Sequence, residues 1–416
     1  MTVFSELAMR PHADLRSVRG WNASIPARLV LTICATALLL VGANLATPLY
    51  PLLQERLGLG PFAVTLTFSS YVLALILGLV LYGHWSDHLG RRAALVLAVA
   101  IGLGGEIVFA TAEGLGALMV GRSLQGAAVA MAIGASGAAL RELLPRHPRW
   151  ASRFTLLAST GGVALGPIVG GFLAAYGEPT RTPFMVHALL MAMMLIPLWL
   201  VRARPAIAAT PGKYAVLRPQ RPRLSATVRS QFWVAAWAGF LSFALFGFCL
   251  SLGPGYFARA TGVDSALGAG TLAALVLIGS AGIQLLATAR GASLPVALVA
   301  MGFASVFIVV AAESGMLWML CLATLGAGIA QGMAFQSAFH HLSVSLPAQE
   351  SARVFSSVYV VTYLGSAVPV LGLGALTGVL GITTAAWWFI AVIATGCLVL
   401  AAAAWKIART SAADSR

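Results

Sequence analysis

The chain has 416 residues, of which 59% are hydrophobic and only 9% are charged. In soluble domains about a quarter of all residues are charged, so this composition excludes a water-soluble globular protein. The net charge of +14 would favour a nucleic-acid partner in a soluble protein, but basic residues also collect in the cytoplasmic loops of membrane proteins.

Residues 1–28 form a polar N-terminal segment that contains Glu6 and Asp14. The segment has no short apolar stretch that ends in a small-residue cleavage site, so we expect no removed signal peptide. We predict that it is cytoplasmic.

Twelve apolar segments follow, each about as long as the roughly 20 residues that cross a bilayer as a helix. Helices are expected because the strands of a membrane barrel would alternate in polarity. The predicted fold is therefore an all-α polytopic membrane protein with twelve transmembrane helices in two six-helix halves. The predicted spans, numbered one to twelve, are residues 29–52, 63–83, 92–112, 115–140, 153–176, 183–202, 230–257, 266–288, 292–312, 315–341, 352–377 and 384–406.

A basic, proline-containing stretch at 203–229 separates the first half, 29–202, from the second half, 230–406. We predict that this stretch is a cytoplasmic linker and that 407–416 is a cytoplasmic tail. With this topology, the Lys and Arg residues fall on the inner side of the membrane except for Arg56, Arg181 and Arg259 in outer loops and Arg122 inside a span. This distribution predicts cytoplasmic termini, and no nucleic-acid partner is expected because the charge is spread over several short loops.

The two halves contain matching features. Pro48 precedes Tyr50 by two residues in span one, and Pro254 precedes Tyr256 in the same way in span seven. Gln125 in span four and Gln331 in span ten each precede a glycine, and both matches are 206 residues apart. Parallel repeats of this kind are one plan of membrane transporters.

The loop between spans two and three reads Gly83-His-Trp-Ser-Asp-His-Leu-Gly-Arg-Arg. A positive-inside anchor would explain the two arginines but not the acid or the glycines. The loop resembles the signature G-x-x-x-D-x-x-G-R-[KR] of the major facilitator superfamily. The resemblance implies a conformational latch in which Asp87 contacts the start of span eleven near Ser351–Arg353. The latch residues are Gly83, Asp87, Gly90, Arg91 and Arg92.

Span four carries Arg122 and Gln125, which share a helix face. An Arg inside a span is costly unless it meets partners or a watery cavity, although it could also snorkel to the outer surface. The sequence around Arg122 resembles the family pattern R-x-x-q-G, whose Arg is associated with proton coupling or substrate binding.

Span five contains a glycine-rich string with a central proline. Glycines four residues apart favour close helix packing, which would explain a simple small-residue pattern alone. The full string resembles the antiporter motif of the exporters in this superfamily and is the main indication of transport direction. Its residues are Gly162, Gly166, Pro167, Gly170 and Gly171.

Glu106 is the only acid inside a predicted span. Because it lies at a depth similar to that of Arg122, we expect either an ion pair or a proton site that responds to that Arg. A purely structural pairing, or a position at the outer boundary of the membrane, is an equal alternative. Many proton-coupled drug exporters of the family carry an acid in span one, whereas this span one offers only Asn44.

The resemblance extends over the whole chain and is to the twelve-span drug/proton antiporter branch. It implies a secondary active transporter that exports a small, partly apolar compound in exchange for protons by alternating access. An importer or a sugar or metabolite exporter of the same fold is the alternative, and a polytopic enzyme or receptor is a more distant one. The candidate substrate-cavity residues are Asn44, Gln125, Gln331, Tyr359 and Tyr363.

We expect no catalytic residues, cofactor or metal site, because the chain has no ATP-binding P-loop and its four cysteines lie in separate apolar runs. The expected partners are a small-molecule substrate, protons and the lipid bilayer. We expect the protein to lie in the inner cell membrane and to be a monomer.

Overall fold

The computed structural model describes residues 3–7, 20–202, 229–286, 293–344 and 348–414. Most of the predicted linker, 203–229, lies outside these residues. The described residues form sixteen α-helices, and their only β-type pairing is a single bridge between Trp21 and Val201. The helices are α1 (Val3–Leu7), α2 (Ile25–Leu45), α3 (Tyr50–Leu57), α4 (Pro61–Tyr82), α5 (Ser86–Leu89), α6 (Arg91–Ala110), α7 (Leu115–Leu143), α8 (Pro148–Leu173), α9 (Thr182–Leu200), α10 (Arg229–Leu250), α11 (Gly253–Thr261), α12 (Ala266–Leu286), α13 (Leu294–Glu313), α14 (Leu317–Val344), α15 (Ala348–Leu380) and α16 (Ile382–Asp414).

Twelve helical stretches in the described part of the chain are long and apolar enough to cross a membrane. They coincide with the twelve predicted spans, so the all-α polytopic fold is confirmed. Many large apolar side chains on these helices are exposed, among them Phe303 at 70% and Val379 at 82%. Such surface is suited to contact with lipid rather than with water.

Span one is not the continuous helix that its apolar length predicts. Helix α2 ends at Leu45, a 3₁₀ turn covers Thr47–Leu49, and α3 begins at Tyr50. Pro48 has no amide hydrogen and cannot donate to the carbonyl four residues earlier. The proline therefore breaks the span in its C-terminal part, between α2 and the shorter α3.

Span seven repeats this break. Helix α10 ends at Leu250 and α11 begins at Gly253, with Pro254 in its first turn. The matching prolines of the two halves thus mark the same structural discontinuity, at which carbonyl groups of the preceding helix lack intrahelical partners.

The chain divides into two compact units. One contains Met1–Ala46 and Ser70–Gln220, and the other contains Thr47–Ser69 and Arg221–Arg416. These units differ from the halves expected from the sequence in the place of 47–69, which groups with the second unit. Within that unit, the Ser69 hydroxyl donates to the Ala367 carbonyl at 3.4 Å.

Small residues bring the helices of the second unit together. Helix α10 packs on α15 where a β-carbon at Gly247 would lie 3.0 Å from the Ser366 carbonyl oxygen and one at Gly239 would lie 3.1 Å from Thr362 Cβ. Glycine at these positions therefore allows the close backbone approach that is common between membrane helices.

Candidate functional site

Arg122 lies on α7 and is only 2% exposed. Its Nη1 donates to the Ala43 carbonyl at 2.5 Å and to Gln125 Oε1 at 2.8 Å, and its guanidinium lies 4.5 Å from the centre of the Tyr71 ring. These buried contacts exclude the snorkelling alternative.

The contact with Ala43 has a simple electrostatic basis. Ala43 belongs to the last turn of α2, where carbonyl groups lack helix partners and the helix dipole is negative. The Arg122 guanidinium therefore caps the end of α2 at the point where Pro48 interrupts span one.

Glu106 lies on α6 and contacts α9 rather than the guanidinium of Arg122. Its Oε1 is 3.3 Å from His187 Nδ1, and both side chains are almost fully buried, at 2% and 1% exposure. His187 Nε2 lies 3.0 Å from the Leu38 carbonyl of α2. No ion pair between Glu106 and Arg122 occurs among the described residues.

His187 was not among the candidates from the sequence. The available signal was that it is the only histidine inside a predicted span of the first half. An ionisable residue within a span is functional by default, so the same argument that selected Glu106 would also have selected His187.

The amide side chains among the cavity candidates are buried and hydrogen-bonded. Asn44 donates to the Leu40 carbonyl at 3.0 Å, and Asn44, Gln125 and Gln331 are all buried. In the second unit, Gln331 accepts a 2.6 Å hydrogen bond from Ser280, whose hydroxyl also accepts one from Gln284. The structure therefore gives these side chains partners within the protein.

The glycine string of span five packs α8 directly on α2. A β-carbon at Gly166 would lie 2.6 Å from Asn44 Cβ and 2.7 Å from the Val41 carbonyl oxygen, and one at Gly162 would lie 2.8 Å from the Ala37 carbonyl oxygen. Gly170 faces the Leu45 carbonyl in the same way. The five residues Gly162, Gly166, Pro167, Gly170 and Gly171 are all buried, and α8 continues through the proline.

The loop signature contains a short helix, α5, that ends at Leu89 and is followed by Gly90. Gly90 has a φ of 95°, which is a conformation that favours glycine. Arg91 pairs with Asp87 and, at 2.9 Å, with Glu142 of α7. Partial burial lowers the pKa of His88, an effect that the Asp87 carboxylate opposes.

Arg92 of the loop makes contacts that were not predicted from the sequence. Arg92 forms a bidentate pair with Glu6 of α1 at 2.8 and 3.1 Å and donates to the Val201 carbonyl at 2.5 Å. Arg92 therefore holds the N-terminal helix and the end of α9 against α6. The side chains of Ser351–Arg353, the expected partners of Asp87, lie outside the described residues.

Six aromatic side chains of α10, α14 and α15 form a cluster in the second unit, with neighbouring ring centres 4.2 to 6.2 Å apart. Each is half-buried. Tyr359 and Tyr363 were candidates from the sequence, and the other rings were not. The aromatic cluster comprises Phe243, Phe335, Phe339, Phe355, Tyr359 and Tyr363.

A family model described as Major Facilitator Superfamily matches residues 32–368. A protein of Escherichia coli O1:K1 named for multidrug resistance, MdtD, is 26% identical over 160 residues, which are 37% of this chain and 34% of that protein. The chain thus matches about a third of the length of this curated relative and 25% of the length of another.

Solved structures match over nearly the whole chain. A bacterial homologue of the human lysosomal transporter Spinster, in an inward-facing and unoccupied conformation, has a TM-score of 0.75 at 16% identity, covering 92% of this chain and 98% of that one. A D-xylose–proton symporter has a TM-score of 0.73 with the same identity and coverage. At this identity the two structures establish the fold alone.

Proposed function

The chain belongs to the major facilitator superfamily, and from this premise we propose that it exports a small, partly apolar compound in exchange for protons by alternating access. A multi-pass membrane transporter is what the family and the fold establish. The proposal adds the direction of transport, the coupling ion and the class of substrate. It also includes a location in the inner cell membrane with both termini in the cytoplasm.

The glycine face of α8 carries the proposal of export. The string that resembles the exporters' motif is the surface by which α8 contacts residues 37–45 of α2. The same end of α2 receives the Arg122 guanidinium and contacts the Glu106–His187 pair. The motif thus lies directly against the helix that meets the ionisable groups of the first unit.

The aromatic cluster supports a partly apolar substrate. In the described spans of the second unit, charged side chains lie at helix ends, as Glu313 does at the end of α13. Contact between two aromatic rings is stabilising by about 0.5–1.5 kcal/mol per pair, so half-buried rings favour a ligand that carries a ring. We therefore propose that the substrate contains an aromatic ring.

Accumulation of fluorescent apolar dyes in cells with and without the protein tests this function. Export predicts lower accumulation in expressing cells, with the difference abolished by a protonophore. Higher accumulation in expressing cells would instead identify an importer of the same fold.

Replacement of Phe335 with Ala is expected to weaken transport of an aromatic substrate. Loss of one ring contact would raise KM by roughly fivefold, on the basis of about 1 kcal/mol per ring pair. Phe303→Ala is the matched control, because Phe303 is 70% exposed on α13. An F335A variant with the KM of the wild type would place the substrate away from the aromatic cluster.

Asp87→Asn is expected to reduce the transport rate several-fold while leaving the amount of protein in the membrane unchanged. The substitution removes the carboxylate charge that pairs with Arg91, and an exposed pair of this kind contributes only about 0–1 kcal/mol to stability. Asp264→Asn, on a loop between α11 and α12, is the control for loss of an acid. A D87N variant with full transport would contradict the latch.

A further inference from the structure

The hydrogen-bonding capacity of the Glu106–His187 pair determines how many protons it holds. A backbone carbonyl can only accept a hydrogen bond, so the contact with Leu38 places a hydrogen on His187 Nε2. In the neutral ring Nδ1 is then an acceptor, and it faces Glu106 Oε1 at 3.3 Å.

Two acceptors that face each other in a buried site repel. Among the described residues, His187 Nδ1 and Glu106 Oε2 are buried atoms with no hydrogen-bond partner, which is costly in an apolar surrounding. A single proton removes the conflict, either as a carboxylic acid that donates to Nδ1 or as an imidazolium beside a carboxylate. The same proton serves both residues.

We infer that Glu106 and His187 form one proton-binding site. Protonation adds one H⁺ from water to the pair, and deprotonation leaves a carboxylate beside a neutral imidazole. Under the proposed function, on which this further role depends, the proton held there is the one exchanged for substrate.

The helices around the pair carry one other buried charge. Arg122 of α7 is the one other charged side chain buried within the spans of α2, α6, α7, α8 and α9, as far as the structure describes them. The remaining charged side chains of these helices lie toward their ends: Arg28, Arg91, Arg92, Arg141, Glu142, Arg149 and Arg153.

Helix α2 contacts both the pair and Arg122. His187 donates to the Leu38 carbonyl, and Arg122 donates to the Ala43 carbonyl five residues later. Between them, Gly42 leaves room for the pair, because a β-carbon there would lie 2.5 Å from His187 Cε1 and closer still to Glu106 Oε1. Proton occupancy and the position of α2 are therefore linked through direct contacts.

Infrared difference spectra of the purified protein across a pH series test the shared site without measuring transport. In the wild type we expect one carboxyl band and one imidazole band to change at the same pH. E106Q should remove both changes, and H187Q should remove the imidazole change and alter the pH at which the carboxyl band changes. E113Q and H147Q, which alter exposed loop residues, should leave both bands as in the wild type.

An E106Q variant whose His187 band still titrates as in the wild type would overturn the shared site. G42A offers a second variant that keeps both ionisable groups but forces them apart, and it should separate the two transitions. G104A on α6, where an added β-carbon would meet nothing within 4 Å, should not.

Transport assays separate this inference from the proposed function. In E106Q and H187Q the rate of transport driven by a pH gradient is expected to fall at least tenfold. Both variants should still exchange substrate in the absence of a gradient. If the two bands titrate together but wild-type transport ignores the pH gradient, proton antiport is wrong and the proton site stands. If transport in both variants follows the gradient as in the wild type, the pair does not carry the exchanged proton.

Discussion

Gly166→Leu is expected to abolish transport and to lower the melting temperature of the purified protein. Even one β-carbon at this position would lie 2.6 Å from Asn44 Cβ and 2.7 Å from the Val41 carbonyl oxygen. A leucine side chain would push α8 away from α2, and overpacking of this kind costs about 1–3 kcal/mol or more. The Arg122 contact with α2 would be displaced at the same time.

Gly161→Leu provides the matched control on the same helix. An added β-carbon at Gly161 meets nothing within 4 Å, so this variant should retain the stability and transport of the wild type. Wild-type melting and transport in G166L would show that α8 and α2 need not approach closely.

Arg122→Met is expected to reduce transport by tenfold or more. Met keeps much of the apolar volume but leaves the Ala43 carbonyl and Gln125 Oε1 without their charged donor. Hydrogen bonds to charged groups contribute about 1.5–3 kcal/mol, and buried carbonyls at the end of α2 would lose their cap. Initial transport rates, normalised to the amount of folded protein, measure the effect.

Arg153→Met controls for loss of an arginine. Arg153 is exposed on α8 and contacts Trp150, so its replacement should change transport by less than twofold. An R122M variant that transports like R153M would contradict a role for the buried guanidinium. Arg122→Lys should lie between these results, because one ammonium group cannot reproduce the planar fork of donors.

The spans could be predicted from the sequence because length and hydropathy alone determine which segments cross a bilayer. The breaks at Pro48 and Pro254 were visible as a repeat, yet their effect on helix continuity was not predicted. A proline within a membrane helix can be tolerated when neighbours satisfy the freed carbonyls. Pro167 of α8 is such a case, whereas Pro48 ends its helix.

The candidate site shows a different limit of sequence reasoning. Equal depth placed Glu106 and Arg122 at one level of the membrane, but depth does not specify the direction in which each side chain points. The structure turns Arg122 toward α2 and Glu106 toward His187 of α9. Only the packing of α2, α6, α7 and α9 determines those directions.

The aromatic cluster was missed for a related reason. The sequence around an exposed phenylalanine such as Phe303 is as apolar as that around Phe243, Phe335 and Phe339, so it does not distinguish them. Residues of three separate spans form the cluster, and no short sequence pattern connects them. Sequence reasoning therefore identified the tyrosines by their hydroxyl groups and overlooked the phenylalanines beside them.

Proton-coupled export is tested most directly with the purified protein in liposomes that carry an imposed pH gradient and a fluorescent aromatic substrate outside. Antiport predicts that an acidic interior drives substrate into the liposomes and that a protonophore abolishes this uptake. Uptake driven instead by an acidic exterior, or substrate exchange that is indifferent to the gradient, would contradict the proposed function.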